Sequence, residues 1–230
     1  MNWKMIYLAR RNPALAPQDF PQAWREHSAL GRQCPNVQDK VRGVAQCSRV
    51  LDVVPVHGLA DDYDGVNLLQ LRDLQAATDI WTDADTLRVM RPDEPRVFSA
   101  YVRNFTLTCC EAVLRDAPQT EVCVIAFLRP RDAVEPGDFH RECMRNDGAP
   151  WLAVAAAARA RRVVLNEVYA EPPPGYEFAM IIEWWFASLD ELVDALGRRD
   201  VRELLPVAIA GRSDALRSVF MLTRITHRRP

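Results

Sequence analysis

Two stretches of the chain share one hydrophobic pattern. Residues 63–71 read YDGVNLLQL and residues 176–184 read YEFAMIIEW. Dense apolar runs of this length, bounded by turn-forming residues, are typical of buried β-strands. The segments around the two runs also follow one another in the same order. The sequence therefore predicts two copies of one βαββαβ unit.

The predicted elements follow from the spacing of apolar residues, which repeats every two positions in strands and every 3.6 in helices. In the first copy they are a strand at 5–11, a helix at 18–31, a strand at 42–54, a strand at 63–71, a helix at 74–90 and a strand at 99–114. The second copy has them at 121–129, 137–152, 161–170, 177–186, 188–199 and 217–228. The predicted units span residues 1–116 and 120–230.

A βαββαβ unit carries both of its helices on one face of its sheet. The strand at 177–186 is nevertheless apolar on both faces, since bulky residues such as Ile181 and Ile182 occupy successive positions. The second apolar face needs a cover, which the other unit's sheet provides by packing face to face or by closing into a barrel. We therefore predict an α+β fold, with tandem ferredoxin-like βαββαβ repeats forming an intrachain pseudo-dimeric α+β barrel.

Composition narrows the class of partner. The 29 basic and 31 acidic residues are spread along the chain, which argues against nucleic acid. The first residues lack a signal-peptide h-region, and no apolar run approaches a membrane span, so we expect no membrane partner and a cytoplasmic location. Six cysteines without a C-x-x-C pair predict free, buried thiols. The expected partner is a small-molecule substrate or ligand, bound by a monomeric pseudo-dimer or a homodimer.

Several separated positions of the first unit resemble the EthD family of dimeric α+β barrel proteins. They are Lys4, Arg10 and Arg11 on and after the opening strand, Phe20 and Trp24 on the first helix, Tyr63, Asp64 and Gly65 at the start of the third strand, and the run DEPRVF at 93–98 followed by Glu111. The second unit is similar more loosely, through Phe139, Ala149, Pro150 and the run EWWF at 183–186.

The resemblance implies a cavity between sheet and helices in each unit. In the wider superfamily such cavities serve lactone isomerisation, polyketide cyclisation or monooxygenation, often without a metal or an organic cofactor, and EthD proteins are associated with oxidative degradation. Many EthD members place a histidine four residues after the tryptophan, followed by Ala-Pro. This chain has Ser28 at that position and His27 one residue earlier, and the second unit has no histidine there but carries Asp147 in the same region.

The main catalytic candidate is His27, which shares a helix face with Phe20 and Trp24. An imidazole aimed at the sheet can act as general acid or base at neutral pH, with Ser28 beside it to orient a substrate. The alternative is a histidine that only packs or hydrogen-bonds at the helix end.

Glu183 is the second catalytic candidate, because it is embedded in the apolar run MIIEWWF. In a dry cavity its pKa would rise and suit it to proton transfer. The alternative is a salt bridge to an inward arginine such as Arg103 or Arg224, or exposure at a rim.

A substrate pocket that accepts aromatic compounds is expected from the remaining candidates. The residues predicted to line it are Tyr7, Trp24, Trp81, Tyr101, Asp147 and Trp185, although each aromatic could equally be core. His57 and His227 are remote from any acidic cluster with ligand spacing, so we expect no metal, and we expect no cofactor. A haem on His27 or His227 is possible in this superfamily, but no further sequence feature favours it.

Three functions follow from these candidates. The first is a cofactor-independent lyase or isomerase acting on a small carbonyl, lactone or aromatic compound, with His27 and Glu183 transferring protons. The second is a non-catalytic, ligand-binding accessory protein of an oxidative degradation pathway. The third is an oxidoreductase of the monooxygenase kind. The first is the main prediction.

Overall fold

The computed structural model describes residues 1–229, apart from the side chain of residue 146. Its eight strands are β1 Asn2–Ala9, β2 Val41–Arg49, β3 Gly65–Leu71, β4 Thr106–Arg115, β5 Val122–Leu128, β6 Arg162–Val168, β7 Met180–Phe186 and β8 Val219–Arg229. Its α-helices are α1 Phe20–Leu30, α2 Pro35–Lys40, α3 Leu74–Asp79, α4 Glu94–Val97, α5 Pro136–Cys143, α6 Ala149–Ala157, α7 Leu189–Leu196 and α8 Val207–Arg212.

The strands form one closed antiparallel barrel. Strands of the first unit lie in the order β4-β1-β3-β2, and those of the second lie in the order β8-β5-β7-β6. Two ladders join the sheets edge to edge, β2 with β8 and β4 with β6. Closure leaves neither sheet with a free edge. The predicted pseudo-dimeric α+β barrel of tandem ferredoxin-like repeats is confirmed, and the two sheets meet by closure.

Strand parity divides the core into two environments. On β1, Ile6 and Leu8 point into the barrel, whereas Met5 and Tyr7 point towards the helices of the first unit. Helices cover only the outside of the barrel, so the interior is filled by side chains from both units. The barrel therefore has an interior shared by the units and one helix-covered layer for each of them.

Two predicted elements of the first unit are interrupted. The expected helix at 74–90 ends at Asp79 and resumes as a π-helical turn at Thr86–Met90. The carboxylate of Asp83 accepts hydrogen bonds from the backbone N–H groups of Asp85 and Thr86 (2.9 and 3.2 Å), a local turn that competes with helix. The expected strand at 99–114 begins only at Thr106, because residues 102–105 form a 3₁₀ turn.

The expected helix at 137–152 of the second unit is also divided. Gly148 has a φ of 78°, a left-handed conformation that breaks the helix and becomes the N-cap of α6. The long strands predicted at 42–54 and 177–186 are shorter in the structure, as β2 ends at Arg49 and β7 begins at Met180.

The six cysteines were predicted to be free and buried, and five of them are buried. All six cysteines are free thiols, and Cys109 and Cys110 lie on opposite faces of β4, the first buried and the second half-buried. Within residues 1–229, no helix is long and apolar enough to cross a membrane.

Candidate functional site

A cavity lies between the helix-facing side of the first sheet and the helices that cover it. Its volume is about 90 Å³. The sheet contributes Tyr7, Gln46 and Asn67, and the helical segments contribute His27 and Glu94. The volume is smaller than the ~150 Å³ of an engineered cavity that holds benzene. A haem macrocycle therefore does not fit in it, and a ligand with one ring would project through its mouth.

Three buried oxygens of residues that line this cavity lack a hydrogen-bond partner among the described residues. They are Oε1 of Gln46, Oδ1 of Asn67 and Oγ1 of Thr86. The amide nitrogen of Gln46 donates to the carbonyl of Trp24 at 3.3 Å, so its orientation is fixed by the protein. Buried polar atoms are nearly always paired, because leaving one unpaired costs about 1–3 kcal/mol. These oxygens are suited to accept hydrogen bonds from a ligand.

His27 is 5% exposed and lines the same cavity. Its Nδ1 lies 2.9 Å from Oδ2 of Asp93, a carboxylate that can only accept. Nδ1 therefore carries the proton, and Nε2 is the nitrogen left for a ligand. Asp93 in turn receives hydrogen bonds from the guanidinium of Arg96, at 2.7 and 3.1 Å. The chain Arg96–Asp93–His27 orients the imidazole.

The surroundings of the hydrogen-bonded residues Arg96, Asp93 and His27 keep the imidazole neutral. Burial lowers the pKa of His27 below its ordinary 6.5, and this outweighs the opposing effect of Asp93; nearby Arg96 lowers the pKa further. The hydrogen bonds from Arg96, together with that from His27, hold the pKa of Asp93 below its usual range despite partial burial. At neutral pH the pair is thus a carboxylate and an uncharged imidazole, which is the form that can take up a proton.

Two further acidic groups face the cavity. Burial raises the pKa of Glu94, although the backbone N–H of Val102 donates to its carboxylate at 2.8 Å and Arg91 is nearby. Burial also raises the pKa of the Tyr7 hydroxyl, which accepts a hydrogen bond from Nε1 of Trp24 at 3.3 Å. Tyr7 is therefore an un-ionised phenol that can donate a hydrogen bond to a neighbour.

Several positions that carry the EthD resemblance hold α1 against the first sheet, behind the cavity. A Cβ on Gly65 would come within 2.5 Å of the Trp24 ring, so only glycine lets α1 pack this close to β3. The neighbouring Asp64 receives hydrogen bonds from the backbone and guanidinium of Arg11, at 2.9 and 2.8 Å. Phe20 stacks on Trp24 with ring centroids 5.0 Å apart. These contacts fix the face of α1 that presents His27.

A second polar cluster lies inside the barrel, on the opposite face of β1. The ammonium of Lys4 lies 2.7 Å from Oε1 of Glu183 and 2.5 Å from Oε2 of Glu111. Glu183 also accepts hydrogen bonds from Asn166 and from Nε1 of Trp185, both at 3.0 Å. Burial tends to lower the pKa of Lys4, but the two carboxylates raise it overall, so the amine is charged. The cluster joins the two units through a buried ion triad.

The structure brings four of the predicted site residues together. Tyr7, His27, Ser28 and Trp81 all line the first-unit cavity. Trp24 packs beside this cavity and hydrogen-bonds Tyr7.

The other predicted site residues lie elsewhere. Glu183 and Trp185 are inside the barrel, where Glu183 pairs with Lys4 and not with the arginines considered from sequence. Tyr101 is 43% exposed, with the Arg91 guanidinium 4.8 Å from its ring centre. Asp147 is exposed in a 3₁₀ turn of the second unit. His27 and Glu183 therefore lie on opposite faces of the barrel wall and do not share a site.

Sequence reasoning missed the polar half of the cavity. Gln46 and Asn67 each interrupt an apolar strand at a helix-facing position, and that interruption was the available signal. Asp93 and Glu94 belong to the run DEPRVF, which carries part of the EthD resemblance but predicts no site residue. No sequence signal pairs Asp93 with a histidine 66 positions away.

The corresponding layer of the second unit, between its sheet and its helices, contains large buried side chains. They include Trp151 and Trp184, whose ring centroids lie 6.0 Å apart, and Phe139. A separate pocket of about 260 Å³ lies beside α5, where Nε2 of His140 is 3.3 Å from Glu167. Among residues 1–229, no group of three His, Cys, Asp or Glu side chains is placed to hold a metal ion.

Comparison with known proteins gives the fold. No protein-family model matches the sequence, and no curated protein matches it. The solved structure of an anthrone oxidase-like protein matches with a TM-score of 0.64 at 10% identity, over 99% of this chain and 92% of the other. A proposed monooxygenase from Fusobacterium nucleatum matches at 0.54 and 6% identity, over 99% and 92%. A chlorite dismutase from Candidatus Nitrospira defluvii matches at 0.52 and 12%, over 97% and 90%.

Proposed function

We propose that the protein is an enzyme that removes a proton from a small hydroxylated aromatic or enolisable carbonyl compound held in the first-unit cavity. The observation that carries the proposal is the meeting of an oriented, neutral histidine with three unpaired buried acceptors in one cavity. The reaction class is that of a cofactor-independent lyase or isomerase, because proton transfer is the chemistry that these side chains provide.

The acceptors favour a ligand rich in hydroxyl groups. Oxygens on Gln46, Asn67 and Thr86 can each take a hydrogen bond from a phenol or enol O–H, and each bond repairs an unpaired buried atom. Apolar side chains such as Met5 and Leu69 line the rest of the cavity and suit the face of a ring. A compound without donors would leave the acceptors unpaired and would bind less well.

His27 is assigned the proton transfer. Nε2 takes a proton from carbon or oxygen of the ligand, and Asp93 stabilises the imidazolium that forms. Reprotonation at another atom completes an isomerisation, and loss of a leaving group completes an elimination. Tyr7, whose hydroxyl stays un-ionised because burial raises its pKa, is assigned as a hydrogen-bond donor to the ligand anion. Ser28, which lines the same cavity, is assigned the role of orienting the substrate. Glu183 is assigned a structural role, since Lys4 neutralises it inside the barrel.

An oxidoreductase is the second candidate. The fold neighbours include an anthrone oxidase-like protein and a proposed monooxygenase. The same carbanion formed by His27 could pass its electrons to dioxygen instead of being reprotonated. Consumption of dioxygen during turnover distinguishes this function from isomerisation, and tight binding without any product supports the accessory-protein function.

We also propose that the chain is a tandem relative of the EthD family. The supporting observation is that the resembling positions contact one another, as Arg11 does Asp64, Trp24 does Gly65 and Lys4 does Glu111. Residues 1–116 and 120–230 are the proposed units.

The test is deuterium exchange into bound probes. An anthrone has an acidic C–H group, and resorcinol exchanges its ring hydrogens by taking up deuterium at carbon after its hydroxyl has lost a proton. NMR in D₂O follows both exchanges without knowledge of the product. The wild-type protein should accelerate the exchange, and His27→Gln should reduce that acceleration by about 10²–10⁴-fold. His140→Gln is the matched control, because it removes the other histidine that contacts a carboxylate. Equal loss in both variants, or no loss in His27→Gln, would rule out the assignment.

A further inference from the structure

The second unit contributes an arginine to the first-unit cavity. β8 pairs with β2, and this register places Arg229 opposite Val44. Both residues line the cavity, and both also line a cleft of about 500 Å³ at the adjoining end of the barrel. Arg229 therefore lies where the cavity opens into this cleft. The cleft is basic, since Arg42 and Arg228 line it as well.

Arg42, Arg228 and Arg229 line this opening or its cleft, and Arg25 and Arg32 line a neighbouring cleft beside α1 that Arg228 also borders. Among residues 1–229, none of Arg25, Arg32, Arg42, Arg228 and Arg229 takes part in a salt bridge. Other arginines of the protein do pair with carboxylates, in most cases at nitrogen–oxygen distances within 3.5 Å. Arg25 and Arg228 donate to backbone carbonyls, those of Thr226 and Gln119. The nearby carboxylate of Glu26 is already paired with Arg96 at 3.2 Å.

These cations act on one another. Burial and the neighbouring Arg32 lower the pKa of Arg229. Burial and then Arg25, Arg32 and Arg229 lower the pKa of His227. Like charges gathered without counter-ions repel, so the binding of an anion at this opening would relieve an existing repulsion.

We propose that the substrate is an aromatic acid, whose carboxylate binds Arg229 at the cavity opening while its hydroxyl groups reach the buried acceptors. The proposal rests on the proposed function and adds the charge of the substrate. Arginine is suited to this role because its planar guanidinium binds a carboxylate through two parallel hydrogen bonds. A cavity of about 90 Å³ encloses part of one ring, which leaves the carboxylate in the opening.

The proposed site depends on closure of the barrel, because it contains residues of both units. Arg229 reaches the cavity only because β8 pairs with β2, so the first unit by itself would lack the carboxylate-binding residue. Leu114 occupies the end of β4, where β4 joins β6 in the second unit, and it packs against Gly148 in that unit's filled core. Arg229 thus lies at the end of β8, beside the first-unit cavity, whereas the aliphatic Leu114 lies at the end of β4, beside the packed core of the second unit.

Three related probes test the proposal by titration calorimetry. They are 2,4-dihydroxybenzoate, its methyl ester and resorcinol, which share the hydroxylated ring and differ in charge. The acid should bind wild-type protein at least about 10-fold more tightly than the ester, and salt should weaken only the acid. Arg229→Gln should remove this preference without changing affinity for the ester, whereas Arg229→Lys should keep part of it. Arg198→Gln, an exposed arginine after α7, is the matched control.

The outcomes separate this inference from the proposed function. If the ester and resorcinol bind but the acid binds no better, or if Arg229→Gln weakens acid and ester equally, the charge assignment is wrong and the cavity assignment stands. If none of the three probes binds, both are wrong. Thermal unfolding of Arg229→Gln, expected to match that of the wild type, excludes a folding defect as the cause of lost affinity.

Discussion

The two units share a strand order but fill the space under their helices differently. In the first unit the helix-facing side of the sheet carries Tyr7, Gln46 and Asn67 around a cavity. In the second unit the same side is occupied by large apolar residues such as Leu165 and Trp184. The first unit therefore has a polar cavity under its helices, whereas the described core of the second unit is filled by apolar side chains.

The difference between the units bears on how a two-unit barrel can contain a polar cavity and remain stable. Unpaired buried acceptors and empty volume each reduce stability, by about 1–3 kcal/mol for an unpaired polar group. Unpaired buried polar atoms also occur in the second unit and in the barrel interior, such as Nε1 of Trp184 and Oδ1 of Asn166. In the first unit, however, three such atoms line one cavity. The large side chains buried in the second unit and in the barrel interior supply hydrophobic stabilisation that offsets these costs.

The largest expected effect comes from emptying the packed half. Trp151→Ala removes a fully buried ring and the hydrogen bond from its Nε1 to the Cys143 carbonyl (2.8 Å), and should lower the free energy of unfolding by about 3–5 kcal/mol. Trp81→Ala, at the half-buried wall of the first-unit cavity, should cost much less. Urea titrations of both variants measure the difference. Equal losses would mean that the first-unit cavity contributes to stability as much as the packed core.

A smaller effect distinguishes two buried asparagines. Asn166 donates to Glu183, so Asn166→Leu leaves a buried carboxylate with one partner fewer and should cost about 1.5–3 kcal/mol. The Oδ1 atoms of both asparagines are unpaired, but the amide of Asn67 contacts the Tyr7 hydroxyl and not a buried carboxylate, so Asn67→Leu should change stability by less than about 1 kcal/mol in either direction. The same Asn67→Leu change should abolish binding of hydroxylated probes. A destabilisation equal to that of Asn166→Leu would show that Asn67 is structural.

The smallest effect is the dependence of stability on pH. The pKa of His27 is lowered in the folded state, so the unfolded chain takes up a proton first as the pH falls below about 6.5. The wild type should therefore lose stability between pH 7.5 and 5.5 more steeply than His27→Gln, by about 1 kcal/mol or less. The groups facing the ring, Asp93 and Arg96, remain in both proteins, so the difference reports His27. A steeper loss of stability in His27→Gln would show that folding raises the pKa of His27 instead of lowering it.

Much of the fold was predictable because it depends on local pattern. The dense apolar run at residues 176–184 and its repeat in the first unit predicted strands buried on both faces, and a sheet of this kind needs a second sheet. The interrupted helix at 74–90 was not predictable from apolar spacing, because the side chain of Asp83 competes locally for backbone N–H groups.

The candidate site was predictable only in part, because its residues come from distant parts of the chain. The face of α1 placed His27 towards the sheet by helical periodicity alone. The alternation of side chains along a strand placed Glu183 on one face of β7. It did not predict that Lys4, 179 positions away, would neutralise this carboxylate. Asp93 beside His27 and Arg229 beside Val44 depend on the pairing of strands and the packing of loops over them.

The sequence by itself determined the repeat, the strand faces and the direction of His27, because each follows from the geometry of a single element. Only the tertiary structure decided where the first-unit cavity lies, which carboxylate meets His27 and which arginine lines the cavity. Those outcomes depend on the register of strands that pair across the two units and on how side chains fill the volume between them, and neither is encoded in the period of any one segment.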